Sequence, residues 1–285
     1  MASAQPNNRS RRRVGVVVVL DPPVSDQIDG LRRAVGDPSL TRIPPHITLV
    51  PPVNVRRRDL PAALEVLRAA AARPPGRLSL TLGKVSSFLP HNPVVYLSVG
   101  GDLDELGRLR EAVFQPPLER PLTWPWVPHV TVADGLPSDR IPGVLEALDG
   151  FSAVVACDRL VLLEEGPGRS WYPLADAALG APARIGTGGL ALELVAGRLV
   201  DPRLDAPCPP AGPLPPLVLN AYREGAPVGW ARASLGWAGP TRTVWVAEQH
   251  RGQGIGHHLR AHLEWALERE SAHGNSGEEP GRSGP

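Results

Sequence analysis

Cysteine is nearly missing from this chain, with Cys157 and Cys208 as its only two thiols. Neither sits in a CxxC pair or beside a histidine cluster, which excludes a disulfide framework and a cysteine-based metal site and points to a reducing compartment. Long hydrophobic runs are missing as well. The apolar run at residues 14–20, "VGVVVVL", follows three arginines but ends at Asp21 without a small-residue cleavage site, so it reads as a first strand and not as a signal peptide. No stretch approaches the ~18 apolar residues of a membrane helix, and a cytoplasmic protein is the expectation. Charge of one sign is also absent: 30 basic against 29 acidic residues leave a net charge of +1, which gives no global pull towards nucleic acid or membrane. Any affinity for phosphate has to be local. Lysine is the last absence, Lys84 standing alone among the basic residues; with so much alanine, proline, glycine and valine, this reads as coding bias more than as selection for guanidinium contacts.

What is present divides in two. A chain of 285 residues exceeds the ~250 at which single cores stop growing, so two cores are expected. In the first part, "VSDQIDGLRRAVGDP" sets Val24, Ile28, Leu31 and Val35 at helical spacing after the first strand. The strand "RIPPHITLVPPV", the helix "RDLPAALEVLRAAAARPP" and the alternating strand "GRLSLTLGKVSSF" complete one half. The order then repeats: strand "PVVYLSVG", helix "DLDELGRLREAVFQPP", strand "WVPHVTVA", helix "SDRIPGVLEALDG", and one last strand "FSAVVACDRLVLLEEG" turning into "RSWYPLADAAL". Duplication of this kind predicts related lobes about a pseudo-twofold axis.

After residue 180 the texture changes. "GAPARIGTGG" and the proline-rich "DPRLDAPCPPAGPLPP" read as linker. Three antiparallel strands follow, with turns expected at Glu224-Gly225 and Gly239-Pro240, and then a helix with Ile255, Leu259, Leu263 and Ala266 on one face. The expected organisation is a domain at 14–180, a Gly/Pro-rich linker at 181–216 carrying at most the first strand of the next module, a module at 217–270, and a disordered tail at 271–285.

The chemistry lies in two short stretches, "PPHITLV" at 44–50 and "VPHVTVA" at 127–133. Residues i and i+2 of a strand share a face, so His46 projects with Thr48 and His129 with Thr131, while Ile47, Leu49, Val130 and Val132 pack behind. A single His-x-Thr is ordinary. Two copies 83 residues apart, each after a proline and each third in its half, are not. Two imidazoles flanking a phosphodiester can divide the work of general base and general acid, because an ordinary pKa near ~6.5 lets one be neutral and the other charged. The threonine hydroxyls would hold the non-bridging oxygens, and no metal is required.

"PHITLV" and "PHVTVA" resemble the paired signatures of the two-histidine (2H) phosphoesterase superfamily, in its bacterial 2′-5′ RNA ligase and cyclic phosphodiesterase-like branch, over roughly residues 14–180. "VSSFLPHNPVVYLSV" and "RSWYPLADAALG" are similar to further segments of that family. The resemblance implies an α+β class with a bilobal duplicated fold, and cleavage of 2′,3′-cyclic phosphate or 2′-5′ linked nucleotide or RNA ends, with reversible 2′-5′ ligation in some members. It makes His46 and His129 the acid/base pair, in either order, and Thr48 and Thr131 the phosphate binders. Trp124, Trp126 and Trp171 either stack a base or simply pack. Arg42, Arg56, Arg57, Arg58 and Arg169 either steer a phosphate or form a solvated face. His91 reads as a loop histidine.

A second motif, "EQHRGQGIGHHL", puts Gly252, Gly254 and Gly256 between a strand and a helix, where free amides can approach a pyrophosphate. The spacing is neither a dinucleotide fingerprint nor a P-loop. It is similar to the acyl-CoA loop of GNAT-type N-acetyltransferases, read here as Arg251, Gly252, Gln253, Gly254, Ile255 and Gly256. The resemblance implies a smaller C-terminal α/β half-domain that takes acetyl-CoA or another acyl-CoA. The strands and helices that continue that family's fold have no counterpart before the chain ends. His258 and His262, four apart on the same helix, lack a third ligand and read as surface residues. Three functions are therefore in play: a metal-independent phosphodiesterase or ligase, an acyltransferase whose N-terminal part positions substrate, and a groove that binds RNA ends without turnover.

Overall fold

A computed structural model describes residues 11–73, 76–187, 190–205, 216–236 and 239–274. The chain divides into two units, Met1–Ala181 and Pro182–Pro285. The first is built on β1 (Arg11–Val19), α1 (Val24–Val35), β2 (His46–Arg56), α2 (Leu60–Ala71), β3 (Leu78–Ser87), β4 (Val94–Gly101), α3 (Leu103–Val113), β5 (His129–Asp134), α4 (Ile141–Ala147), β6 (Ser152–Cys157), β7 (Arg159–Glu165) and β8 (Trp171–Ala178). Its strands form one eight-stranded sheet in the order β6-β3-β4-β5-β2-β1-β7-β8, and the two histidine strands lie side by side at its centre.

Alternation along the strands creates two faces. Val14, Val16 and Val18 of β1, Ile47 and Leu49 of β2, and Val130 and Val132 of β5 are fully buried. They form the face on which α1 and α3, through Ile28, Leu106 and Val113, complete the core. The opposite face of β1 carries Val17 and Val19. They cluster with Val161, Leu163, Ile43 and Trp171.

Two local expectations change. β3, read as the close of the first half, pairs with β4 and β6. The stretch read as one last strand is two, broken at Asp158, with β6 at one edge of the sheet and β7 against β1 on the other side. An apolar run on both sides of one polar residue hides such a break, because only long-range pairing reveals that the segments go to different neighbours.

The second unit is a five-stranded antiparallel sheet, β13-β12-β11-β10-β9, formed by β9 (Ala183–Thr187), β10 (Leu190–Gly197), β11 (Leu217–Arg223), β12 (Ala226–Gly236) and β13 (Gly239–Val246). A 20-residue helix, α5 (Ile255–Gly274), packs Ile255, Leu259 and Leu263 against Leu192, Leu194, Leu219 and Ala231. Two strands therefore stand at 183–197, where linker with at most one strand was expected; Leu192 and Leu194 bury themselves under α5 and supply the reason. The turn at Glu224-Gly225 is present with both residues at positive φ, 50° and 79°, the geometry of a two-residue hairpin. Gly239 and Pro240 are strand residues, opposite Gly236 and Leu235, and not the turn. Helix α5 also continues through Gly274, past the expected start of a disordered tail at Ser271. Cys208, most of the proline-rich segment and the rest of the tail lie outside the described residues.

Candidate functional site

Ile47 of β2 pairs with Val130 of β5 in antiparallel register. One residue to either side, that register sets His46 opposite Thr131 and Thr48 opposite His129, all four on the face away from the buried Ile47 and Val130. Opposed Cβ atoms in such a pair stand ~4.5–5.5 Å apart, and the diagonal His46–His129 pair ~7–8 Å. Rings standing on such a diagonal leave room for a single tetrahedral anion between them.

The two rings are held alike. His46 Nδ1 lies 2.7 Å from the carbonyl of Pro44, and His129 Nδ1 lies 2.7 Å from the carbonyl of Val127. A carbonyl only accepts, so Nδ1–H donates in each case and the neutral ring keeps its lone pair on Nε2. In both motifs the acceptor is two residues upstream, where the chain enters the strand through a proline. Burial pushes the pKa of His46 down to about 4 against the raising effect of the Pro44 carbonyl, and the positive fields of His129 and Arg32 push the same way. His129 is also lowered by burial, opposed by its bond to Val127. Without an anion between them both rings are neutral at pH 7.

Several residues that the sequence did not single out shape this site. Arg32, in the apolar stripe of α1 and 3% exposed, bonds Asp37 at 2.8 Å, Asp29 at 3.0 Å and the Ile43 carbonyl at 2.9 Å. It ties α1 to the segment that delivers Pro44 and His46. Phe88 and Tyr96 stack on each other at 4.2 Å and meet His129 edge-on at 5.1 and 5.3 Å. An arginine in a helix's apolar stripe is a readable signal, whereas the meeting of Phe88 and Tyr96 depends on how β3 and β4 pair.

A cleft of about 580 Å³ opens beside His129 and Thr48, walled by Phe88, His91, Trp124, Trp126, Arg110 and Arg120. Trp126 donates Nε1–H to the Thr48 carbonyl at 2.8 Å and lies under the Arg110 guanidinium at 5.2 Å. Arg120 donates to the Pro52 carbonyl at 2.9 Å. Trp124 is 64% exposed and stacks on His91 at 5.2 Å, so His91 is a loop residue that also lines the cleft. Trp171 stands elsewhere, in the cluster with Val17 and Val19 on the face that carries His46. Arg56, Arg57 and Arg58 gather at the far end of β2, where Arg56 lies eight β1 residues, or ~26 Å, from the level of His46. The Arg42 carbonyl accepts from the Trp171 amide at 2.7 Å, and Arg169 ends the turn before β8.

In the second unit, Gly252 and Gly254 take φ of 76° and 81°, in the left-handed region that favours glycine, and an added Cβ at either would meet nothing within 4 Å. Among the described residues the amides of 252–256 donate to no protein acceptor, while the Gly254 carbonyl starts α5 by accepting from His257 and His258. Arg251 bonds the Val246 carbonyl at 3.1 Å, and Gln253 accepts from Arg223 at 3.0 Å. Free amides at the start of a 20-residue helix suit a pyrophosphate. His262 Nδ1 is tied to the His258 carbonyl at 3.0 Å, and no three His, Cys, Asp or Glu side chains converge among the described residues.

Comparison with known proteins follows the same division. The family model for the 2′-5′ RNA ligase superfamily matches residues 20–169, and that for the acetyltransferase (GNAT) family matches residues 201–274. A protein of Bacillus licheniformis named "Putative phosphoesterase" is 32% identical over 173 residues, covering 59% of this chain and 99% of its own. One of the same name from Bacillus pumilus is 32% identical over 161 residues, covering 56% and 92%. Among solved structures, E. coli LigT complexed with 3′-AMP aligns over 59% of this chain and 98% of its own, at 20% identity and a TM-score of 0.42. No helix among the described residues is long and apolar enough to cross a membrane.

Proposed function

The chain belongs to the 2′-5′ RNA ligase superfamily of two-histidine phosphoesterases, and from that membership we propose that its first unit opens 2′,3′-cyclic phosphates at nucleotide or RNA ends by metal-independent acid/base catalysis. The observation that carries this reading is the Ile47–Val130 pairing, which gathers His46, Thr48, His129 and Thr131 on one face. His46, with its proton affinity pushed lowest, is the base: its free Nε2 takes a proton from water as the water oxygen bonds to phosphorus. His129 Nε2–H protonates the ribose oxygen as its bond to phosphorus breaks. The Thr48 and Thr131 hydroxyls donate to the non-bridging oxygens. A cyclic diester and water become a phosphomonoester and a free hydroxyl; an RNA 5′-hydroxyl in place of water yields a 2′-5′ link by the same proton transfers. The diester's charge restores proton affinity to the neighbouring imidazole, which lets His129 enter the reaction charged. The aromatic cleft beside His129 takes the base, with Trp124 and His91 as stacking surface.

The test is turnover of a nucleoside 2′,3′-cyclic phosphate, with chelator present, by wild type and by His46→Ala and His129→Ala. Loss of roughly 10²–10⁴-fold in each folded variant is expected, and undiminished rates would end the proposal. For the second unit, the free amides of 252–256 and the match at 201–274 favour binding of the pyrophosphate of an acyl-CoA. Acyl transfer by that unit, with the first positioning a substrate, is the alternative activity. A melting temperature that does not move with saturating acetyl-CoA would remove both.

A further inference from the structure

We propose that the surface running from His46 and Thr48 over the half-buried Trp171, which with Ile43 covers the buried Val17 and Gly15, is a track for single-stranded RNA that ends on Arg11 and Arg56. This rests on the acid/base reading above and extends it: the preferred substrate is the end of an oligonucleotide and not a mononucleotide.

The register lays out the path. On β1, Val19 lies opposite His46 and Val17 opposite Thr48, so both valines share the histidine's face. Continuing along β1 by alternation, that face carries Gly15, Arg13 and Arg11. The Trp171 ring lies over Gly15, where an added Cβ would come within 3.8 Å of it. Arg13 stands opposite Asn54 and Arg11 opposite Arg56. From the level of Thr48 to Arg11 is six residues, or ~20 Å.

The far end has an unusual charge pattern. Like charges directly opposite in an antiparallel pair are destabilising, yet Arg11 and Arg56 face each other there, both exposed. Among the described residues neither has an acidic partner. The carboxylates of the neighbourhood are otherwise engaged: Glu165 with Arg13 at 3.3 Å, Glu164 with Arg12 at 3.2 Å, and Asp59 with Arg58 at 3.7 Å. An anion between Arg11 and Arg56 removes the repulsion. A half-buried indole midway and a cationic pair at the end, on one face with a phosphate-handling site, match the way single strands are held, by stacking in the middle and charge along the backbone. A length of ~20 Å suits the low end, about four nucleotides, of such grooves.

The experiment compares wild type with Arg11→Gln/Arg56→Gln, using 3′-fluorescein dinucleotide and dodecanucleotide RNA across a salt series, beside turnover of a nucleoside 2′,3′-cyclic phosphate. Both substitutions are at exposed positions and remove a repulsive pair, so a melting temperature at or above that of wild type establishes folding. The dodecamer should bind more weakly to the variant, and the slope of log K against log salt should shrink by about 1.4, at ~0.7 per lost phosphate contact. Dinucleotide binding and mononucleotide turnover should not change. Equal dodecamer affinity and slope in the two proteins would overturn the track. Absent mononucleotide turnover in wild type would instead fault the catalytic reading, because the binding arms need no chemistry.

Discussion

Ile47 and Val130 face each other across the centre of the eight-stranded sheet, and neither is exposed to solvent. Their pairing sets which way four polar neighbours point, since a slip of one residue would turn His46 and Thr48 into the core. Packing beneath the sheet and chemistry above it are therefore linked. Replacing Ile47 with alanine should cost about 2–5 kcal/mol in urea unfolding. Turnover should fall as well, although no atom of Ile47 reaches the substrate. A variant that loses stability but keeps full activity would show that the register is held from elsewhere.

Acid should unfold this protein partly through His46. The ring titrates near its ordinary value of ~6.5 once unfolded but at about 4 when folded, so between those values the unfolded chain binds more protons. Stability from this group is complete above pH 6.5 and is lost as pH falls towards 4. The full shift would be worth about 3 kcal/mol; because the ring is partly exposed, roughly 1–3 kcal/mol is expected. Urea melts at pH 7 and pH 4.5 should show that extra loss in wild type and not in His46→Gln.

The threonines should separate from the histidines in kinetics. Thr48→Val and Thr131→Val keep β-branched shape and strand preference, so melting temperature should barely move. A hydrogen bond to a charged group contributes about 1.5–3 kcal/mol, which corresponds to roughly a 10- to 150-fold loss in kcat/KM for each variant. The slope of the pH–rate profile should be kept, because the titrating rings remain. A changed profile would assign the hydroxyls a part in proton transfer.

Trp124 is the exposed half of a stack with His91, and a base can occupy its open side. Stacking of this kind is worth about 1–3 kcal/mol per base, so Trp124→Ala should raise KM for a nucleoside 2′,3′-cyclic phosphate by roughly 5- to 150-fold. With a cyclic phosphate of a simple diol, which has no base to stack, wild type and variant should be alike. Equal effects on both substrates would make the tryptophan a packing residue.

The site was more legible than its surroundings, for physical reasons. Strand alternation around a polar residue is local, so "PHITLV" and "PHVTVA" announce both their secondary structure and their exposed face. The partners of those strands are not local. Nothing near Leu78 says that β3 joins β4 and β6, and Asp158 does not mark the point where β6 and β7 separate. Residues 183–197 looked like linker because glycine and alanine dominate its start, yet Leu190, Leu192 and Leu194 already carry the period of a strand. The place of Arg32 in the apolar stripe of α1 is legible, but its partners Asp37 and the Ile43 carbonyl are not, because they lie beyond the helix. Phe88 and Tyr96 reach His129 only through the β3–β4 register.

The glycine loop of the second unit offers a test independent of the phosphodiesterase. If the amides of 252–256 cradle a pyrophosphate, acetyl-CoA at one hundred times its Kd should stabilise the protein by about 2.7 kcal/mol and raise the melting temperature of that unit. Gly254→Val should abolish the shift, because a β-branched residue strains at φ 81° and its side chain occupies the space now open to a ligand. That variant carries its own structural cost, so Arg251→Gln serves as the second: Arg251 Nε bonds the Val246 carbonyl and helps to fix the loop without blocking it. A weaker shift in Arg251→Gln and none in Gly254→Val is the expected pattern. A shift that survives Gly254→Val in full would place the acyl-CoA elsewhere on the unit, whereas pyrophosphate competing with acetyl-CoA would fix it on the loop amides.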